Sequence, residues 1–185
     1  MGFQTPMYTL SDYLEKTRDG RIQLPDFQRG YKWDDERIRQ LLITVLRGHP
    51  MGVVMLLETN NALVRFKPRP VAGVELPPET EPEKLLLDGQ QRLTSLTQTL
   101  TGDGVVATKD SRGKRLERRY FVHMERALED ADRMDEAVIA VPADGIIRTN
   151  FDRFILIDLS TTEKQQEHGY FPLSLILDTS EASLW

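Results

Sequence analysis

The chain has 185 residues, 39% of them hydrophobic and 29% charged, with no cysteine and a formal net charge of −5. That length supports one domain with a real core, and the missing cysteines exclude a disulfide framework, a thiolate metal site and a cysteine nucleophile. The acidic balance argues against a surface that grips nucleic acid over its whole extent.

In chain order, Ser11 is expected to cap a short helix carrying Leu14 and ending near Asp19-Gly20. Ile22 to Leu24 reads as a strand stopped by Pro25, and residues 26–33 as a loop. Asp34 or Asp35 caps a helix whose Ile38, Leu41, Leu42, Val45 and Leu46 have helical spacing. Gly48 and Pro50 end it. Val53 to Leu57 is an apolar run of strand length, expected to be buried on both faces. Ala62 to Phe66 is read as a second strand, joined to it by an Asn60-Asn61 turn. Residues 68–83 hold five of the ten prolines and four glutamates, the pattern of a surface loop.

Leu85 to Leu87 is the next strand. A helix follows through Leu93, Leu96 and Leu100, closed by Gly102-Asp103-Gly104. Val105 to Thr108 and Tyr120 to Met124 read as strands flanking a basic stretch. There Lys109, Arg112, Lys114, Arg115, Arg118 and Arg119 face only Asp110 and Glu117. Such a patch permits nucleic-acid contact at one face, although a solvated hairpin explains it as well. Val138 to Val141 and Phe154 to Ile157 are further strand candidates, and residues 170–185 have helix-like spacing in part. The longest apolar run is far too short to cross a bilayer. No secretory pattern or myristoylation site opens the chain. A soluble, cytoplasmic protein is expected: one unit over 1–185, with its core in 8–125 and peripheral strands in 126–185, as a fragment of a longer protein.

Two segments carry chemistry. Asp88-Gly89-Gln90-Gln91-Arg92 follows a strand and opens a helix. Asp88 and Gln91 have the spacing of a capping box, and Gly89 lets a ligand approach the backbone. The first-turn N–H groups favour an anion, and Arg92 adds a planar cation suited to phosphate. Gln90 and Gln91 can orient phosphate oxygens or a water. A plain helix cap accounts for the same residues about as well. No Walker-type loop occurs, and His49, His123 and His168 lack metal or triad spacing.

The other segment, Pro25 to Trp33, gathers Phe27, Tyr31 and Trp33 with Gln28, Arg29 and Lys32. Aromatic faces beside cations suit flat or soft ligands. Buried anchoring to the core is the ordinary alternative, expected for Phe27 and open for Trp33. Gln28, Arg29 and Tyr31, by contrast, are polar groups crowded in a rigid loop and call for a partner.

The two segments together resemble the N-terminal domain of GmrS/GmrD-type restriction proteins, the domain of unknown function 262 family. The resemblance rests on a Pro-x-x-Gln-Arg-x-Tyr-x-Trp loop and an Asp-Gly-Gln-Gln-Arg-Leu-Thr turn, in matching order with a helix between them. It covers residues 8–101, and the later strands more loosely. It implies an α+β fold with a ParB/sulfiredoxin-like mixed sheet and flanking helices.

By the same resemblance Gly89, Arg92, Gln28 and Arg29 would contact a nucleotide, with GTP preferred and Mg²⁺ present. Asp88, Gln90, Gln91 and Arg92 would serve its hydrolysis. The family's association with modified DNA, glucosylated or phosphorothioate-containing, is assigned to Gln28, Tyr31, Lys32 and Trp33 as a hypothesis, because a neutral, aromatic pocket on that loop would suit a phosphorothioate sulfur. The family also implies an anti-phage restriction role and a following His-Asn-His nuclease domain as partner; the short apolar runs give no membrane partner, and a homo-oligomer is left open. The competing expectation is a non-catalytic DNA-binding or nucleotide-gated module. A nuclease acting through Asp34, Asp35 or Asp88 is the weakest, because helix capping explains Asp34 and Asp35.

Overall fold

The computed structural model describes residues 8–59, 66–150 and 153–185. Helix α1 (Leu10–Arg18) is capped by Thr9, not Ser11. The Thr9 hydroxyl accepts from the Asp12 N–H and the Asp12 carboxylate accepts from the Thr9 N–H, each at 3.1 Å. This reciprocal pair satisfies two backbone donors where a lone Ser11 would satisfy one. Strand β1 (Ile22–Pro25) leads through the loop at 26–33 into α2 (Asp35–Leu46), whose cap is Asp34, accepting from the Arg37 N–H at 2.9 Å.

Strands β2 (Met55–Glu58), β3 (Pro68–Arg69) and β4 (Lys84–Asp88) join β1 in one sheet, in the order β2-β4-β1-β3. β1 and β4 run parallel, while β2–β4 and β1–β3 are antiparallel. The mixed pairing makes the fold α+β, as the sequence implies. β2 corrects the expectation of a strand buried on both faces. It begins at Met55 and lies on the sheet edge, with Val53 74% exposed before it. An apolar run of five residues does not distinguish an edge from a centre. The strand expected at 62–66 and its turn fall outside the described residues except for Phe66, which is not in a strand. The proline-rich segment is more tightly held than a surface loop: it supplies β3, and Val71 is buried in the core.

Helix α3 (Gln90–Leu100) is enclosed along most of its length. The hydroxyls of Thr94 and Thr99 are buried without a hydrogen-bond partner, while Ser95 donates to the Gln91 carbonyl and Thr97 to that of Leu93, both at 2.8 Å. This lets small polar residues sit in the interior.

A second sheet is built on β6 (Arg115–His123), with β5 (Val106–Lys109) and β10 (Tyr170–Pro172) along one edge and β7 (Val138–Pro142) along the other. The basic stretch is therefore not flanked by strands: β6 starts inside it, at Arg115. Alternation divides β6 and β7 between two cores. Tyr120, Val122 and Val138 join the main core with Leu24, Leu42, Leu86 and Leu96, whereas Phe121 and Val141 face a smaller one with Leu159 and Tyr170. Met134, Ala137, Val138 and Leu173, all beyond residue 125, belong to the main core.

The short helices α4 (Met124–Glu129), α5 (Met134–Ala137) and α6 (Thr162–Glu167) and the ribbon of β8 (Ile146–Thr149) with β9 (Phe154–Asp158) complete this half. The end is mixed where helix was expected, β10 being followed by a 3-10 turn and α7 (Thr179–Leu184).

Leu96 is 0% exposed and Leu184 78%. Leu96→Ala is expected to cost about 2–5 kcal/mol in urea unfolding. Leu184→Ala should stay within roughly 0.5 kcal/mol of the parent.

Candidate functional site

β4 delivers Asp88 to its end and Gly89 turns the chain into α3. Gly89 is the helix cap at φ +94, with no side-chain cap hydrogen bond. The Asp88–Gln91 capping box expected from the sequence is therefore absent. A left-handed cap residue stands where the box needs an extended one, and each side chain is directed elsewhere. Asp88 is 70% exposed and its carboxylate lies 3.6 Å from the Arg92 guanidinium. Gln91 reaches across to the loop at 28–33, where its Oε1 accepts from the Lys32 N–H at 2.8 Å and its Nε2 donates to the Gly30 carbonyl at 3.3 Å.

The two sequence segments are thus one unit. Gln28 Nε2 donates to the Leu87 carbonyl and Gln90 Nε2 to the Arg29 carbonyl, both at 2.7 Å. Tyr31 and Ser95 share a hydroxyl hydrogen bond of 2.8 Å. Arg69 Nη2, from β3, donates to the Gln28 carbonyl at 2.7 Å. Thr108 donates to the Trp33 carbonyl at 2.7 Å and fastens the end of the loop to β5. Burial pushes the Tyr31 phenol up to about 12, so it remains a neutral hydroxyl at physiological pH.

Arg92 faces the opposite way. Its Nη1 donates to the Met51 carbonyl at 2.6 Å and its Nη2 to that of Val53 at 2.7 Å. A Cβ on Gly52, at φ +95, would fall on that guanidinium. Arg92 is thus seated among carbonyls. Among the described residues nothing accepts from the N–H groups of Gln90, Gln91 and Arg92, and the Arg29 and Lys32 side chains have no ion-pair partner.

Phe27 corrects another expectation: it is 60% exposed, edge-on to Phe66 at 5.0 Å, where a buried anchor was expected. Tyr31 and Trp33 do pack against the main core. Both also line an open cleft of about 1360 Å³, to whose lining Gln28 does not contribute. Sequence reasoning missed Arg69 and Ser95, because what recruits them is a tertiary contact with no local pattern. Among the described residues no three His, Asp or Glu side chains cluster to hold a metal. No helix there is long and apolar enough to cross a membrane.

With the loop and turn joined in this order, residues 10–176 match the family described as the GmrSD restriction endonuclease N-terminal domain. The chain belongs to that family. It is also 27% identical over 177 residues to the uncharacterized protein MJ0686 of Methanocaldococcus jannaschii, an alignment that takes in 93% of this chain and 29% of the relative. The chain thus spans less than a third of that relative's length. The family is described as the N-terminal domain of a restriction endonuclease.

The seat of Arg92 is testable at its glycine. Gly48 has φ +69 with open space around it, so Gly48→Ala should lose only the backbone cost of a left-handed alanine, about 1–2 kcal/mol. Gly52→Ala should lose distinctly more in the same urea titration. Equal losses would mean that the guanidinium is not tightly seated.

Proposed function

We propose that the Asp88–Arg92 turn binds and hydrolyses a nucleoside triphosphate, and that the loop it grips couples hydrolysis to recognition of modified DNA. The observation that carries this reading is the hydrogen-bonded union of Gln90 and Gln91 with the backbone of residues 29–32. A ligand that shifts the first turn of α3 must strain or reposition the loop, and the reverse holds equally.

The chemistry asked of the turn is modest. Phosphoryl transfer to water needs positioning and charge stabilisation more than covalent help. The N–H groups of Gln90 to Arg92, which no described residue accepts from, and the helix dipole supply an anion seat. Val54 and the Arg92 guanidinium, 3.3 and 3.5 Å from where a Gly89 Cβ would lie, have to give way for the close approach expected at Gly89. Arg29 and Lys32 are the cations without ion-pair partners on the attached loop. Arg92 would act from its carbonyl seat by holding residues 51–53, or turn to the phosphates when they arrive. Mg²⁺ bound with a nucleotide needs only one or two protein carboxylates, and exposed Asp88 fits that limited demand. The preference for GTP, the anti-phage role and a following nuclease domain are carried over from the family. Exposed Phe27, Val53 and Met55 border the turn and loop, an apolar rim that suits the softer, less hydrated sulfur of phosphorothioate DNA.

A non-catalytic, nucleotide-gated DNA-binding module is the second reading. The engagement of Arg92 by the Met51 and Val53 carbonyls favours it.

The two separate in one assay: phosphate release from each of the four NTPs, with no DNA, plain DNA and phosphorothioate DNA. The expected result is turnover that modified DNA stimulates. Asp88→Asn and Arg92→Ala should each lower it by about 10²–10³-fold while DNA binding persists. No phosphate release under any condition would discard the hydrolytic reading in favour of the gated one.

A further inference from the structure

The β5–β6 hairpin carries an electrostatic arrangement that folding alone does not explain. In its last ladder rung Lys109 lies directly opposite Arg115, and like charges facing each other across a strand pair are destabilising. Arg112 and Lys114 follow in the connecting turn. The one acid there, Asp110, is occupied as a turn cap, its Oδ1 accepting from the N–H groups of Arg112 and Lys114 at 2.9 Å each. Among the described residues none of these four cations has an ion-pair partner. Arg118, further along β6, does turn inward, to within 3.5 Å of Asp35.

The hairpin is also a wall of the open cleft. Lys109 and Arg115 line it together with Lys32 and Arg18 from other elements, while Glu75, Asp103 and Glu117 are the acids that share it. No ion pair joins these cations to these acids among the described residues. On a chain of net charge −5, a ribbon of four unpaired cations opening onto a cleft marks the place where a polyanion lowers the local repulsion.

We infer that the hairpin is a sequence-independent grip on the phosphate backbone of double-stranded DNA, with Lys109, Arg112, Lys114 and Arg115 contacting phosphates. This extends the proposed function, on which the choice of DNA as the polyanion rests. The site differs from the Asp88 turn. Trp33 links the two, since its carbonyl is held by Thr108 of β5 while its own loop is held by Gln90 and Gln91. Backbone contacts on the hairpin would fix the register of the duplex, leaving the loop to read the modification.

The test is the salt dependence of DNA binding by the 185-residue chain, measured with plain and phosphorothioate duplexes and no nucleotide. Each lost phosphate contact lowers the slope of log K against log salt by about 0.9. Lys109→Ala, Arg112→Ala, Lys114→Ala and Arg115→Ala combined should flatten it by about 3–4 and weaken binding at least about tenfold at low salt. Both duplexes should be affected by the same factor.

A control of equal net charge carries Arg126→Ala, Arg133→Ala, Arg148→Ala and Arg153→Ala, and should keep the parental slope. A milder variant, Arg112→Glu with Lys114→Glu, changes only exposed turn side chains and covers the case in which the fourfold variant unfolds. It too should weaken both duplexes equally. An unchanged slope in the hairpin variants, or an equal loss in the control, overturns the grip while leaving DNA sensing by the loop intact. Failure of the parent chain to bind any duplex overturns both.

Discussion

The site depends on three amide side chains that satisfy another segment's backbone. Gln28, Gln90 and Gln91 join the loop after β1 to the strand-to-helix junction after β4, taking the Leu87, Arg29 and Gly30 carbonyls and the Lys32 N–H as partners. A loop crossing a fold must find partners for its peptide groups, and those left buried without one are costly. Here glutamine, which donates and accepts from one planar group, meets that demand at several points. Two segments that look like separate motifs in the sequence are mechanically a single one.

The layers on either side follow from this. Parallel pairing of β1 with β4 sets the loop and the turn at the same sheet end, because both leave the C-terminal ends of neighbouring strands. That is where ligand sites collect in sheets of this kind. α3 then runs back through the interior, packed so completely that only its first turn and one flank meet solvent. Arg92 braces the opposite side of the junction through residues 51–53, and Thr108 ties the far end of the loop to the second sheet. The junction is therefore held by elements from both sheets.

Much of this was legible in the sequence, and what was not has identifiable causes. The apolar spacing of α2 and α3 gave both helices, and Asp34 gave a cap, because those signals are local. Thr9 displaced Ser11 through a reciprocal bond that depends on Asp12. The Asp88–Gln91 box misled because the same spacing is available to a glycine-capped helix, and the left-handed Gly89 removes Asp88 from the capping position. Phe27 was expected inside because aromatic residues favour burial, yet the turn it occupies faces outward. α4 and α6 were invisible because six residues hold too few positions for helical periodicity to show. The loop and turn residues stood out by their types; their contacts, set by pairing across the chain, did not.

The bonds that weld loop to turn span 59 and 61 residues of sequence. Closing so long a stretch carries an entropic cost that grows only slowly with its length, but nothing nearby rewards that closure until β1 and β4 have paired. Neither segment has the means to preform its half: an excised peptide carrying either one would lack every acceptor the other provides. The loop–turn unit is therefore a product of topology, born at the moment the sheet's parallel register is fixed. An insertion between the two segments would be tolerated so long as it spared that register, α2, residues 51–53 and Arg69, whereas a one-residue slip of β4 against β1 would dissolve the site without altering a single residue in it.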